Sequence, residues 1–230
     1  MKLSIIIPVY NEAATIEQVV ALAKVAPLPA AWQREILIID DGSTDGSAEI
    51  IARLADPLVK VFSKKKNAGK GAAIHTALSL ATGDYAIIQD ADLEYDLADY
   101  YQLVSHLEPA GRSVVYGSRN LHFNPRSKSS YYYGGLLITG LINKLFGAHL
   151  TDVNTCYKLF PLAVARQLGL REKRFAFCEE ITIKLLQQGF TITELPITYR
   201  PRSFAGGKKI RATDGLRAIY LILRLKIFGR

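Results

Sequence analysis

The amino-acid sequence predicts an α/β fold, a single doubly wound and mostly parallel sheet. Three observations carry this. Short β-rich runs recur at residues 3–9, 35–39, 58–62, 85–89 and 113–116, each of strand length and several too continuously apolar to leave a face in water. Helical patterns at 12–26, 44–54, 71–81 and 97–107 fill the gaps between them, and a strand, crossover, strand alternation of that length leads to parallel pairing. Finally, 230 residues with 49% apolar side chains are enough to bury a sizeable core.

Each element has a local reason. The first strand begins almost at Met1 and meets Pro8 too soon for a signal peptide, so the chain is expected to stay in the cytosol. Ser43 is placed to cap the second helix. After Tyr116 the alternation breaks into a Ser/Arg/Lys/Tyr stretch, 126–133, and an apolar helix at 134–146. That helix is too short, and too interrupted by Asn143 and Lys144, to span a bilayer. A helix at 179–188, a strand at 191–199 and a Gly/Lys-rich loop at 201–211 follow. The last stretch, 214–230, is an apolar helix studded with arginine and lysine. The expected organisation is a catalytic domain over 1–212, with an interfacial helix at about 129–147, and a basic amphipathic helix over 213–230.

The net charge of +8 calls for an anionic partner. Its acidic residues gather in the first hundred positions and its basic ones near the end, so different halves are expected to meet different ligands. The two cysteines, Cys156 and Cys178, have neither zinc-finger nor disulfide-framework spacing.

In doubly wound sheets ligands bind beyond the carboxyl ends of the strands, and three such ends carry chemistry here. Gln89-Asp90-Ala91-Asp92 sets two carboxylates one residue apart, the form of a D-x-D site where Mg²⁺ or Mn²⁺ is shared with substrate phosphates. An ordinary acidic loop reads the same way until its placement after the fourth strand is considered. Asp40-Asp41-Gly42-Ser43 supplies Asp40, and less firmly Asp41, for a base or ribose, with turn and capping chemistry as the plain alternative. Pro8-Val9-Tyr10-Asn11-Glu12 lacks the glycines of a dinucleotide fingerprint, and Asn67-Ala68-Gly69-Lys70-Gly71 lacks the spacing of a P-loop. Lys70 is either a nucleotide contact or a solvated lysine at a helix start.

Together these segments, with Tyr-Gly-Ser-Arg at 116–119, Thr-Asp-Val-Asn-Thr-Cys-Tyr-Lys at 151–158 and Gly-Lys-Lys-Ile at 207–210, resemble glycosyltransferase family 2 and, within it, the dolichyl-phosphate mannose synthase and polyprenyl-phosphate glycosyltransferase branch. The resemblance implies a GT-A-like fold. It implies that Pro8, Tyr10, Glu12 and Asp40 line a nucleotide pocket, that the Asp90-Ala91-Asp92 segment binds donor diphosphate and metal, and that Arg202 and Lys208 hold phosphate. Glu94 falls where some relatives use glutamine as a further metal ligand. Cys178 stands where a glutamate is usual, and Glu180 matches the second glutamate of that motif. The tryptophan many relatives carry after Gly-Lys-Lys-Ile is missing.

The expected reaction is an inverting transfer of a hexose from a nucleotide sugar, GDP-mannose or UDP-glucose in type, to dolichyl or undecaprenyl phosphate. A phosphate acceptor is already anionic near neutral pH and needs cations more than a base. Arg119, Arg126, Arg202, Lys208 and Lys209 are offered for it, with Glu180 or Asp152 as bases should the acceptor be a hydroxyl. Apolar helices with interleaved basic residues suit a peripheral protein at the cytoplasmic face of a membrane, alone or beside a membrane-anchored partner protein. Leu216, Ile219, Leu223 and Ile227 equally fit core-helix spacing. A nucleotidyltransferase would show a glycine-rich, arginine-containing loop after the first strand. A nucleic-acid-binding protein would leave the strand-end carboxylates unexplained, so no nucleic-acid partner is expected. A family 2 enzyme acting on a soluble glycan or protein hydroxyl is the nearest rival.

Overall fold

In the computed structural model, described for residues 1–107, 113–125, 129–202 and 212–229, the strands form one seven-stranded sheet in the order β3-β2-β1-β4-β6-β5-β7. β1 (Lys2–Val9), β2 (Gln33–Asp40), β3 (Val59–Ser63) and β4 (Tyr85–Ile88) alternate with helices α1 (Ile16–Val25), α2 (Ser47–Arg53) and α3 (Lys70–Leu80), and pair in parallel around β1. The 97–107 segment is a short 3₁₀ turn, Leu97–Asp99, running into α4 (Tyr100–Ser105).

The departure from a simple parallel sheet comes next. β5 (Val114–Ser118) does not lie beside β4, because β6 (Lys158–Pro161) inserts between them and pairs antiparallel with both. β7 (Ile192–Pro196) then adds in parallel to the far side of β5. β6 and the short α6 (Leu162–Gln167) that follows it directly lie where the strand and helix alternation has already broken, so no repeating pattern marks them in the sequence. Ser43 does not cap α2. That helix starts from Gly46, in the left-handed region at φ 90°, and Ser43 Oγ instead accepts the Asn11 amide at 3.0 Å.

Both sheet faces are covered. Ile5, Ile7, Ile36 and Ile38 face one core with α1 and α4, while Ile6, Leu37, Ile39 and Ile88 face the other with α3, α6 and α7 (Phe177–Gln187), the two-sided burial that continuous apolar strands predict. A third cluster lies between α5 (Ser129–Phe146), α7 and α8 (Ala212–Phe228), built on Ile138, Ile142, Ile183, Ala218, Leu221, Ile222 and Leu225. The core-helix stripe drawn through Leu216, Ile219, Leu223 and Ile227 is therefore rotated from the true one. Leu216 and Ile227 are 70% and 71% exposed. No helix among the described residues is long and apolar enough to cross a membrane.

Candidate active site

The carboxyl ends of β1, β2 and β4 open into a cleft of about 1510 Å³ that reaches across to α5, α7 and α8. Gln89, buried at the end of β4, fixes its floor. Gln89 Oε1 accepts from the Tyr100 and Tyr157 hydroxyls at 2.9 and 2.8 Å, and Nε2 donates to the Asp90 carbonyl at 2.9 Å. The chain then turns at Leu93, whose φ of 59° is a left-handed conformation that a branched side chain rarely adopts. Asp92 Oδ1 closes the turn by accepting the Glu94 amide at 3.1 Å.

The carboxylates of this turn meet two basic side chains. Asp90 pairs with Lys70, the first residue of α3, whose Nζ also reaches Cys156 Sγ at 2.9 Å. Burial would raise the Asp90 carboxyl, but Lys70 holds it below the usual carboxylate range. Asp92 has the opposite fate. Burial, with the charges of Asp90 and Glu94, pushes it up to about 7 against the pull of Arg202. Arg202 bridges Glu12 at 2.9 Å and Asp92 at 3.0 Å, tying the first strand end to the fourth.

Pro8, Tyr10, Glu12, Asp41, Lys70, Asp90, Ala91, Asp92, Glu94, Arg119 and Arg202 all line the cleft, so the structure brings together most of the residues the sequence singles out. Five of the residues singled out, Asp40, Glu180, Arg119, Asp152 and Glu94, are engaged otherwise than expected. Asp40 does not reach the cleft. It is buried and its Oδ1 caps the Ser43 amide at 3.0 Å, because neighbouring residues on a strand face opposite ways. Asp41 lines the cleft instead, with its Oδ2 accepting the Ala68 and Gly69 amides ahead of α3. Glu180 is fully buried and accepts the Arg171 and Glu172 amides while pairing with Lys184, so it is a loop anchor and not a base. Arg119 and Asp152 engage each other through two bonds of 2.7 Å, which leaves Asp152 no base and makes Arg119 a poor acceptor-phosphate cation. Glu94 accepts from the Tyr199 hydroxyl at 2.7 Å and the Arg202 amide at 2.9 Å, anchoring the Arg202 segment in place of serving as a third metal ligand. Arg126, Lys208 and Lys209 lie outside the described residues.

A divalent cation fits this floor. Among the described residues no three His, Cys, Asp or Glu side chains converge on one ion, so Asp90 and Asp92 would share the cation with the oxygens of a substrate, the usual habit of Mg²⁺ and Mn²⁺ sites. Burial first, and then the charges of Asp90 and Glu94, raise the Asp92 carboxyl, and a cation at this point would relieve both.

Toward the helices the cleft is lined by Gly134, Gly135 and Ile138 of α5, by Ala176, and by Gly215 and Ala218 of α8, together with the polar side chains of Tyr131, Tyr132, Arg174 and Asp214. On the same two helices Tyr133, Leu137, Leu216 and Tyr220 are each more than 60% exposed. Asn154 and Glu179 also line the cleft and were not picked out in the sequence. The phase of α7 decides whether Glu179 or Glu180 faces the cleft, and a one-residue phase is beyond what helical periodicity resolves.

Comparison with known proteins places the chain in a family. Glycosyltransferase AglD of Haloferax volcanii is 25% identical over 215 residues, covering 88% of the chain and 34% of the relative, so the chain spans about a third of that protein's length. Dolichyl-phosphate beta-glucosyltransferase of Trichomonas vaginalis is 25% identical over 243 residues, covering 98% of the chain and 71% of the relative. Among solved structures, glucosyl-3-phosphoglycerate synthase from Mycobacterium tuberculosis, in complex with Mn²⁺, uridine diphosphate and phosphoglyceric acid, superposes with a TM-score of 0.69 at 20% identity over 99% of the chain and 78% of that structure. The model of Glycosyl transferase family 2 matches residues 4–169, well over half of the sequence, and the chain belongs to that family.

Proposed function

We propose that the protein is a metal-dependent, inverting hexosyltransferase that moves a sugar from a GDP-mannose or UDP-glucose type of donor to the phosphate of a polyprenyl lipid at a membrane surface. One observation supports this reading: Asp90 and Asp92 line the same cleft as Gly134, Gly135 and Ile138 of α5 and Gly215 and Ala218 of α8. A lipid phosphate entering along these helices arrives with its chain against Ile138 and Ala218 and its charged end toward Asp90 and Asp92. The likeness to a dolichyl-phosphate glucosyltransferase supports the acceptor class, and the Mn²⁺ of the M. tuberculosis complex supports the metal.

In this mechanism Pro8, Tyr10, Glu12 and Asp41 border the nucleoside, and Asp90 and Asp92 hold the divalent cation. That cation, when bound, neutralises charge on the departing nucleoside diphosphate. Lys70 and Arg202 add fixed positive charge beside the diphosphate, in a water-poor site where it acts strongly. The acceptor phosphate oxygen forms the new bond to the anomeric carbon as the bond to the donor's β-phosphate oxygen breaks, with inversion. No proton has to be removed from such an acceptor. This suits a cleft in which both carboxylates expected to act as bases, Asp152 and Glu180, are engaged in other pairs.

Membrane association is part of the same proposal. Tyr133, Leu137, Leu216, Tyr220, Leu223 and Ile227 form exposed apolar surface on α5 and α8, beside Lys144 and Lys226, the composition of a helix pair resting in a headgroup layer. The test is transfer of labelled sugar from UDP-glucose and GDP-mannose, with Mn²⁺ or chelator, to a short polyprenyl phosphate. Organic-extractable label that depends on metal supports the reading. Transfer confined to water-soluble acceptors would keep the family and remove the lipid acceptor.

A further inference from the structure

Two oxygens on the wall of the cleft have no donor among the described residues. Glu179, in the first turn of α7, is 2% exposed; among the described residues its Oε1 accepts from Asn154 Nδ2 at 2.9 Å, and its own backbone amide also bonds to the carboxyl. Its Oε2 and the Oδ1 of Asn154 are shut off from solvent, and neither has a partner among the described residues. Both residues line the cleft. Opposite them α5 presents Gly135, where even a Cβ would lie 4.0 Å from Asn154 Oδ1, so a longer side chain there would crowd this oxygen. Nearly all buried polar atoms in folded proteins are satisfied by protein groups or ordered water, so a pair left over at a binding cleft is open to a polar group of the ligand or to a water that the ligand displaces.

The chemistry of that ligand is restricted. Burial pushes Glu179 up to about 8, so near neutral pH the carboxyl is mostly protonated and sets a donor beside the acceptor of Asn154. When ionised it sets two acceptors side by side. A hydroxyl group both donates and accepts, so one hydroxyl serves the first state and two neighbouring hydroxyls serve the second. An alkyl chain satisfies neither state, and a phosphate dianion has no proton to donate and is repelled by the ionised carboxylate. Resting on the transferase reading above, we propose that Glu179 and Asn154 hold hydroxyl groups of the hexose being transferred and set which sugar the cleft takes. The diphosphate then lies on the Asp90 side and the lipid on the α5 and α8 side, with the hexose between.

The experiment compares UDP-glucose, GDP-mannose and their monodeoxy analogues, both as kcat/KM and as calorimetric Kd against the free nucleoside diphosphate, on the wild-type chain, Glu179→Gln and Asn154→Ala. The wild type is expected to reject at least one deoxy analogue by about 10- to 100-fold, the range for loss of a hydrogen bond to a strongly polar group. Each variant loses a similar factor with the parent donor, treats parent and analogue alike, and binds the free diphosphate as the wild type does. A wild type indifferent to every deoxy position overturns the proposal without any variant having to fold. Variants that keep the wild-type discrimination overturn it too. Donor binding without transfer separates the two claims: the transferase reading fails, while the hydroxyl contact is still decided by the affinities.

Discussion

Asp90 and Asp92 stand one residue apart, yet the fold gives them opposite electrostatic surroundings. Lys70 compensates Asp90, whereas Asp92 shares Arg202 with Glu12 and Glu94 and is left with a carboxyl near 7. Since a cation binds the ionised form, Mn²⁺ affinity should weaken as pH falls below about 7 and level off above it. Titrating Mn²⁺ by calorimetry between pH 5.5 and 8.5 checks this, and a flat profile would contradict it. Glu180 carries a contrasting expectation. Removing it in Glu180→Ala strands the Arg171 and Glu172 amides, so stability should fall by roughly 1–3 kcal/mol in urea unfolding while turnover per folded molecule is preserved. The strand-end carboxylates were legible because spacing and strand position are both written in the chain. The engagement of Arg119 with Asp152, and of Glu94 with Tyr199, was not, since each pairs residues more than thirty positions apart through geometry that only the folded sheet sets.

At the scale of elements, close backbone approach and one buried acid hold the donor half together. A Cβ at Gly71 would stand 2.2 Å from the Glu172 carbonyl oxygen, so α3 starts where it does only because that position is glycine. Gly71→Ala should destabilise by at least about 1–3 kcal/mol through overpacking. Gly140→Ala, on an open stretch of α5 with nothing within 4 Å, should stabilise by about 0.5–1 kcal/mol. Thermal unfolding of the two variants distinguishes the cases. Glu35 joins β1, β2, β3 and the turn before β4. Burial works to raise its carboxyl, but bonds from Thr82, Ser4 and Lys60 outweigh it and bring the group from 4.5 down to about 2. A depressed carboxyl adds stability above its unfolded value and loses it as pH falls toward its folded one. Glu35→Gln should therefore cost on the order of 2 kcal/mol at pH 7 and progressively less between pH 4.5 and 2, as acid-unfolding curves would record. The first four strands could be read from hydrophobic runs set in a regular strand and helix alternation; the reversal at β6 could not, because it falls after that alternation has broken and runs straight into α6.

In the whole molecule one cleft is lined both by the strand-end carboxylates and by small residues of α5 and α8, and the proposed donor and lipid acceptor would meet there. Amphipathic character in α8 was visible in the sequence, but its phase was not: the residues spaced like a core stripe are the outer ones, and Ala218, Leu221, Ile222 and Leu225 face inward against α5 and α7. If the outer face meets lipid, Leu216→Glu combined with Ile227→Glu should leave the folded state intact and weaken binding to anionic vesicles by about tenfold or more, given roughly 1.5–3 kcal/mol for each large apolar side chain buried. Vesicle co-sedimentation reads this directly. The acceptor group is decided by transfer of labelled hexose, with Mn²⁺ present, to a polyprenyl phosphate and to the matching polyprenol. Label is expected on the phosphate alone, abolished by chelation and by Asp92→Ala. Label on the alcohol, or transfer unaffected by either treatment, would contradict this reading.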